Sequence, residues 1–143
     1  MSKLLLDTNI ILDLLAKREP FHDSAAQLFS LADKHKLKLT VSSLTFANTN
    51  YVLARLKTTK EARDILRRFK VLVRVLSLND KIVDLSLNDE GFDDFEDGLQ
   101  YYTAIENNQD IIITRDLKDF KAAKIPVMTA EEYLVSIDMS ASS

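Results

Sequence analysis

The chain has 143 residues, 46% of them hydrophobic and 29% charged, with a formal net charge of −3, which suits one compact domain able to bury an ordinary core. It contains no cysteine, so disulfides and thiolate metal sites are excluded and any metal must be held by oxygen or by the two histidines. No apolar run approaches the ~20 residues of a membrane span, and the opening lacks the charged-then-apolar pattern of an export signal, so a cytoplasmic protein with no membrane contact is expected.

Lys3 to Leu6 is an apolar run that predicts a strand. It stops at Asp7-Thr8-Asn9, after which Ile10, Ile11, Leu14 and Leu15 take up helical spacing. Asp7 suits either the N-cap of that helix or an acid presented at a strand end. After Pro20, Phe21 to Lys36 carries a helical stripe through Ala25, Leu28, Phe29 and Ala32, with His22 and His35 expected on the surface. Leu37 to Val41 predicts a short strand. Ser42-Ser43 then caps a helix whose apolar stripe is Leu44, Ala47, Tyr51, Val52 and Leu56, leaving Thr45 and Asn48 off it. A further helix, Lys60 to Phe69, follows the cap Thr58-Thr59. Arg55, Lys57, Lys60, Arg63, Arg67, Arg68, Lys70 and Arg74 face only Glu61 and Asp64 in this stretch. Such a basic segment is either a solvated helix face or a phosphate-tracking surface for a nucleic acid, with Arg63, Arg67 and Arg68 the candidate phosphate contacts.

Val71 to Leu76 predicts a buried strand and Asp80 to Leu87 a short helix. Acidity then concentrates in Asp93, Asp94, Glu96 and Asp97, at the start of a helix whose stripe Phe95, Leu99, Tyr102 and Ile105 should face the core. Asp94 and Asp97 project from one side of its first turn, away from that stripe. Acids there complement the helix dipole by about 0.3–1 kcal/mol each. Like charges at helical spacing repel by about 0.2–0.5 kcal/mol a pair, so the cluster exceeds what capping asks for. Ile111 to Thr114 predicts a buried parallel strand ending in Arg115, Asp116 and Asp119. Pro126-Val127-Met128 predicts an edge strand, and Glu131 to Ile137 the last helix. The domain is expected over residues 1–137, with 138–143 a flexible tail. Strands separated by helices imply an α/β fold with a central parallel sheet and helices on both faces, whose functional groups gather at the carboxyl ends of the strands.

Asp7, Asp94/Asp97 and Asp116 then meet at one sheet edge, which capping explains singly but not together. Carboxylates without nitrogen or sulfur ligands suit Mg²⁺ or Mn²⁺ bound through few side chains and several waters, a site adapted to phosphodiester hydrolysis. LLLDTNIILDLL, VSSLTFANTNYVL, DGLQYYTAIENNQDIIITRDLKDF and IPVMTAEEYL, spread over residues 3–137, resemble the PIN-domain proteins, in particular the VapC-type toxin ribonucleases. The resemblance implies a metal-dependent endoribonuclease acting on RNA, a homodimer and an antitoxin protein as partner. It carries metal binding over to Asp7, Asp97 and Asp116, with Asp94 or Asp119 as helpers. Asn48 stands where the family usually has a glutamate. That departure sets beside the nuclease a second reading, a catalytically weak or inactive PIN-like module that binds RNA or a partner. Asp94 and Glu96 are the acids placed to offset the missing charge. A phosphoacceptor receiver domain, the third reading, orders its acids differently.

Overall fold

The computed structural model describes residues 1–142. Five strands, β1 (Lys3–Leu6), β2 (Lys38–Ser42), β3 (Arg74–Leu76), β4 (Ile111–Ile113) and β5 (Val127–Met128), alternate with helices α1 (Thr8–Leu15), α2 (His22–Asp33), α3 (Ser43–Leu56), α4 (Thr59–Lys70), α5 (Asp80–Leu87), α6 (Phe95–Glu106) and α7 (Ala130–Ser142). Every pairing is parallel and the strand order is β3-β2-β1-β4-β5. The chain therefore moves outward from β1 through β2 to β3, then crosses back to lay β4 on the free side of β1. Such a reversal opens a crevice at the carboxyl ends of the two inner strands.

The strands are apolar because both sheet faces are covered. Leu4, Leu6, Leu39, Val41 and Ile113 point into a core completed by Ile10 of α1, Leu28 of α2, Leu53 of α3, Leu66 of α4 and Tyr133 of α7. Leu5, Leu76 and Ile112 point the other way, into a smaller core closed by Phe92, Tyr101, Ala104 and Phe120. Side-chain caps set several helix starts: Ser42, Thr58 and Asn79 each accept the amide three residues on. No helix among the described residues is long and apolar enough to cross a membrane.

Helix α3 turns a different face to the core from the one its apolar spacing predicts, and α6 departs from its expected stripe at one residue. On α3, Tyr51 and Leu56 are each 63% exposed, while Thr45, Thr49 and Leu53 are buried. Burying Thr45 is inexpensive because Ser42 and Gln100 both hydrogen-bond its hydroxyl. On α6, Phe95 is left 43% exposed, Leu99 of the expected stripe is buried, Tyr102 and Ile105 pack half-buried against the smaller core, and Gln100, Tyr101, Thr103 and Ala104 are buried with them. The expected strand at Val71 shrinks to Arg74–Leu76 at the sheet edge, with Val71 85% exposed. A single 3-10 turn, Leu117–Phe120, lies between β4 and β5. Helix α2 stops at Asp33 because His35 adopts left-handed backbone (φ 59°), and Lys36 and His35 bond back to Leu31 and Ala32, a Schellman closure. Helix α7 runs through Ser142, past the expected end at Ile137, and Ser143 of the expected tail lies outside the described residues.

Candidate active site

Asp7 leaves β1 and Asp116 follows β4, and these strands are neighbours in register. The sheet itself thus delivers both acids to the crevice. Asp7 is held at both carboxylate oxygens: the Thr8 N–H donates to Oδ1 and the Thr114 hydroxyl to Oδ2, each at 2.8 Å. Asn9 links the two acids, its Nδ2 donating to Asp116 Oδ2 at 3.1 Å and lying 3.5 Å from Asp7 Oδ2. Its Oδ1 accepts the Arg115 N–H at 3.2 Å. The Thr114 hydroxyl oxygen also accepts the Asp116 N–H at 3.0 Å. One buried hydroxyl and one carboxamide therefore set the spacing of the two aspartates.

The third side of the crevice is the start of α6. Asp94 is the N-cap, accepting the Glu96 N–H at 2.8 Å, and Asp97 lies in the first turn. The Asp97 carboxyl is pushed up to about 7, first by burial and then by the like charges of Asp7, Asp94, Asp119 and Asp116. Asp7 is also raised, chiefly by burial, against the lowering hydrogen bonds from Thr114 and Thr8, with Asp116 and Asp119 adding repulsion. Acids from three separate segments thus act on one another. A cation placed among them would relieve that repulsion, and an all-oxygen donor set fits a hard divalent ion. The only three ligand atoms within 4.8 Å of one another among the described residues belong instead to Glu19, His22 and Asp23, chain neighbours around the start of α2. His22 is accordingly half-buried and 3.7 Å from Asp23 rather than free on the surface. The site aspartates form no such tight group of three among the described residues.

Asn48 reaches this edge through Glu96, to whose Oε1 its Nδ2 donates at 3.2 Å. A carboxylate therefore stands beside the position that lacks one. Arg63, Arg67 and Arg68 are exposed on α4, where Arg67 pairs with Asp64 at 2.6 Å. No hydrogen bond or ion pair among the described residues joins them to the aspartates.

Sequence reasoning passed over Asn9 and Thr114, whose signal was their place within DTN and ITRD, two residues from Asp7 and Asp116. It also passed over Asp13, an acid within the apolar stretch of α1 and 1% exposed. Arg115 grips Asp13 with Nε to Oδ2 at 2.8 Å and Nη2 to Oδ1 at 3.0 Å, and its guanidinium stacks 3.9 Å from the centre of the Phe21 ring. This clamp pins the loop carrying Asp116 to α1. Because Asp13→Asn leaves the guanidinium without its counter-charge while Arg115 keeps some solvent, the substitution is expected to cost about 2–3 kcal/mol in urea unfolding.

The PIN domain family model matches residues 3–118. Ribonuclease VapC1 of Aquifex aeolicus (strain VF5) is 30% identical over 138 residues, 92% of each chain. Among solved structures, the chain resembles FitAcB from Neisseria gonorrhoeae with a TM-score of 0.68 at 23% identity, covering 90% of this chain and 98% of that one. It resembles VapBC2 from Rickettsia felis, bound to a DNA fragment from its promoter, with a TM-score of 0.67 at 20% identity, covering 88% and 96%.

Proposed function

The chain belongs to the PIN domain family, and on that premise we propose that it is an Mg²⁺- or Mn²⁺-dependent endoribonuclease, the toxin of a toxin-antitoxin pair. The observation that carries the reading is the convergence of Asp7, Asp94, Asp97, Asp116 and Asp119 at the β1/β4 crevice, with Asp97 raised to about 7. A relative named as a ribonuclease supports RNA as the substrate, and solved complexes such as VapBC2 support an antitoxin partner. Asp7, Asp97 and Asp116 would hold the ion, with Asp94 and Asp119 assisting. Such an ion neutralises charge on a phosphate and lowers the pKa of an attacking water. Asn9 restrains Asp116 and Thr114 restrains Asp7, so the acids keep their spacing as phosphate arrives. Arg63, Arg67 and Arg68 contact RNA phosphates in this reading, and the protein works as a homodimer.

The direct test incubates purified protein with a mixed RNA pool and Mn²⁺. Cleavage that disappears in EDTA and in Asp97→Asn is the expected result; cleavage that survives both rejects the proposal. Replacing Arg63, Arg67 and Arg68 together by Ala should weaken RNA binding and flatten its dependence on salt, because fewer counterions are released. An unchanged slope would mark those arginines as a solvated face.

The second reading, a PIN-like module with little or no catalysis, rests on Asn48. If the site works but lacks one ligand charge, Asn48→Glu should tighten Mn²⁺ binding and raise cleavage at low Mn²⁺. Absence of cleavage and of Mn²⁺-induced thermal stabilisation in the wild type would favour the module. Wild-type cleavage already saturated at low Mn²⁺ and unimproved by the substitution would show that Glu96 makes up the charge.

A further inference from the structure

At the other end of the sheet, Lys3, Lys38 and Arg74 are the first residues of β1, β2 and β3. Lys3 pairs in register with Lys38, and Arg74 pairs with Thr40. Strand alternation then puts all three side chains on the face that carries Leu5 and Leu76. The small core on that face closes over Leu5, Leu76 and Ile112 and leaves Lys38 and Arg74 exposed. Here the surface sinks into a cleft of about 650 Å³ that the three cations line, with Val71 and Leu72 along it.

The floor of the cleft is preorganised. Thr40 and Gln109 are buried and joined by a 2.9 Å hydrogen bond, and Gln109 Nε2 donates to the Asn107 carbonyl at 2.9 Å. Two acids stand against the three cations: Asp33 lines the cleft, and Asp110, whose carboxylate accepts the Lys3 backbone N–H at 2.8 Å, lies beside it. Among the described residues the ion pairs are His22–Asp23, Arg67–Asp64, Lys81–Glu106 and Arg115–Asp13, so Lys3, Lys38 and Arg74 have none. Unneutralised cations gathered in a chain of net charge −3 create a local field that attracts an anion. The last turn of α4, with Arg68 and Lys70, runs into Val71 and extends that field. The cleft is far larger than an inorganic phosphate and falls in the ~300–1,000 Å³ range of small-molecule sites. Val71, 85% exposed, and Leu72 give it an apolar flank.

We propose that this cleft is a mononucleotide site, with the phosphate on Lys3, Lys38 and Arg74 and the base along Val71 and Leu72. The site is separate from the aspartates and does not rest on the nuclease reading. Calorimetric titration in EDTA, which removes metal-assisted binding at the acids, compares AMP, adenosine and inorganic phosphate. AMP should bind saturably and at least tenfold more tightly than adenosine or phosphate. Lys38→Glu/Arg74→Glu should weaken AMP at least tenfold, whereas Asp97→Asn and the distant charge control Lys57→Glu/Lys60→Glu should leave it within about twofold. Unfolding curves confirm that the variants fold; if the double variant does not, Lys38→Ala, at an exposed side chain, replaces it with a smaller loss expected. AMP binding no better than adenosine, or unaffected by the cleft substitutions, overturns the proposal. So does binding confined to RNA oligomers, which would make the cleft part of a strand path rather than a nucleotide site.

Discussion

Asp7→Asn and Asp116→Asn, each made alone, are expected to reduce Mn²⁺-dependent RNA cleavage by about 10³-fold or more while leaving thermal stability unchanged or raised. The geometry explains why activity and stability should separate. Asparagine keeps one carbonyl oxygen, so Asp7→Asn can still accept the Thr8 N–H while giving up the bond from the Thr114 hydroxyl, a loss set against the relieved repulsion, and Asp116→Asn can still accept from Asn9. What is lost is a full negative charge from a cluster in which every carboxylate repels its neighbours. In the metal-free protein that loss relieves repulsion, and under the proposed reading it also takes one ligand from the ion. Single-turnover cleavage and melting temperature, measured on the same preparations, check both halves. An aspartate variant that keeps full activity but loses about 1 kcal/mol of stability would show that residue to be a helix cap and nothing more.

The second large effect concerns pH. Asp97 has a folded-state value of about 7 against an ordinary 3.8, so folding disfavours its charged form. The group binds its proton more tightly folded than unfolded. Stability is therefore unaffected by it below about pH 4, falls as pH rises between the two values, and carries the full penalty above about 7. Asp97→Asn removes the penalty. Once solvent screening of this half-exposed group is discounted, the metal-free variant should gain about 1–2 kcal/mol over wild type near pH 8 and nothing near pH 4. Mn²⁺ should act in the opposite sense, stabilising wild type most above pH 7, where the carboxylate is ionised and ready to bind, and hardly at all near pH 5. Melting curves from pH 4 to 8, with and without Mn²⁺, provide the check. A wild type and Asp97→Asn that track each other across that range would mean that the carboxyl does not feel its neighbours.

Much of the fold was legible along the chain because its signals are local. Four-residue apolar β1, the β-branched run of β4 and the caps Ser42 and Thr58 depend on residues next to one another. The rule that functional groups gather at the carboxyl ends of parallel strands brings Asp7 and Asp116 together from the sequence, with Asp97 at the start of the helix that precedes β4. Asp94 shows how both readings of an acid can hold at once, since it caps α6 and also repels Asp97.

What the sequence determined by itself was the order of elements, the strand-acid-helix opening and the identity of the acids, since propensity, period and capping act over a few residues. Tertiary structure alone decided which face of α3 went inward and that Phe95 of α6 stayed out of the core. Apolar spacing favoured Tyr51 and Phe95, but on α3 it is Thr45, which accepts from the Gln100 amide 55 residues away, that is buried together with Thr49 and Leu53. It also decided the Asn9–Asp116 link and the Arg115–Asp13 clamp, which join residues more than 100 positions apart. The convergence of Lys3, Lys38 and Arg74 likewise exists only once β1, β2 and β3 are in register. Partnerships of that kind follow from sheet register and packing, and a reading confined to neighbouring residues has no physical quantity from which to obtain them.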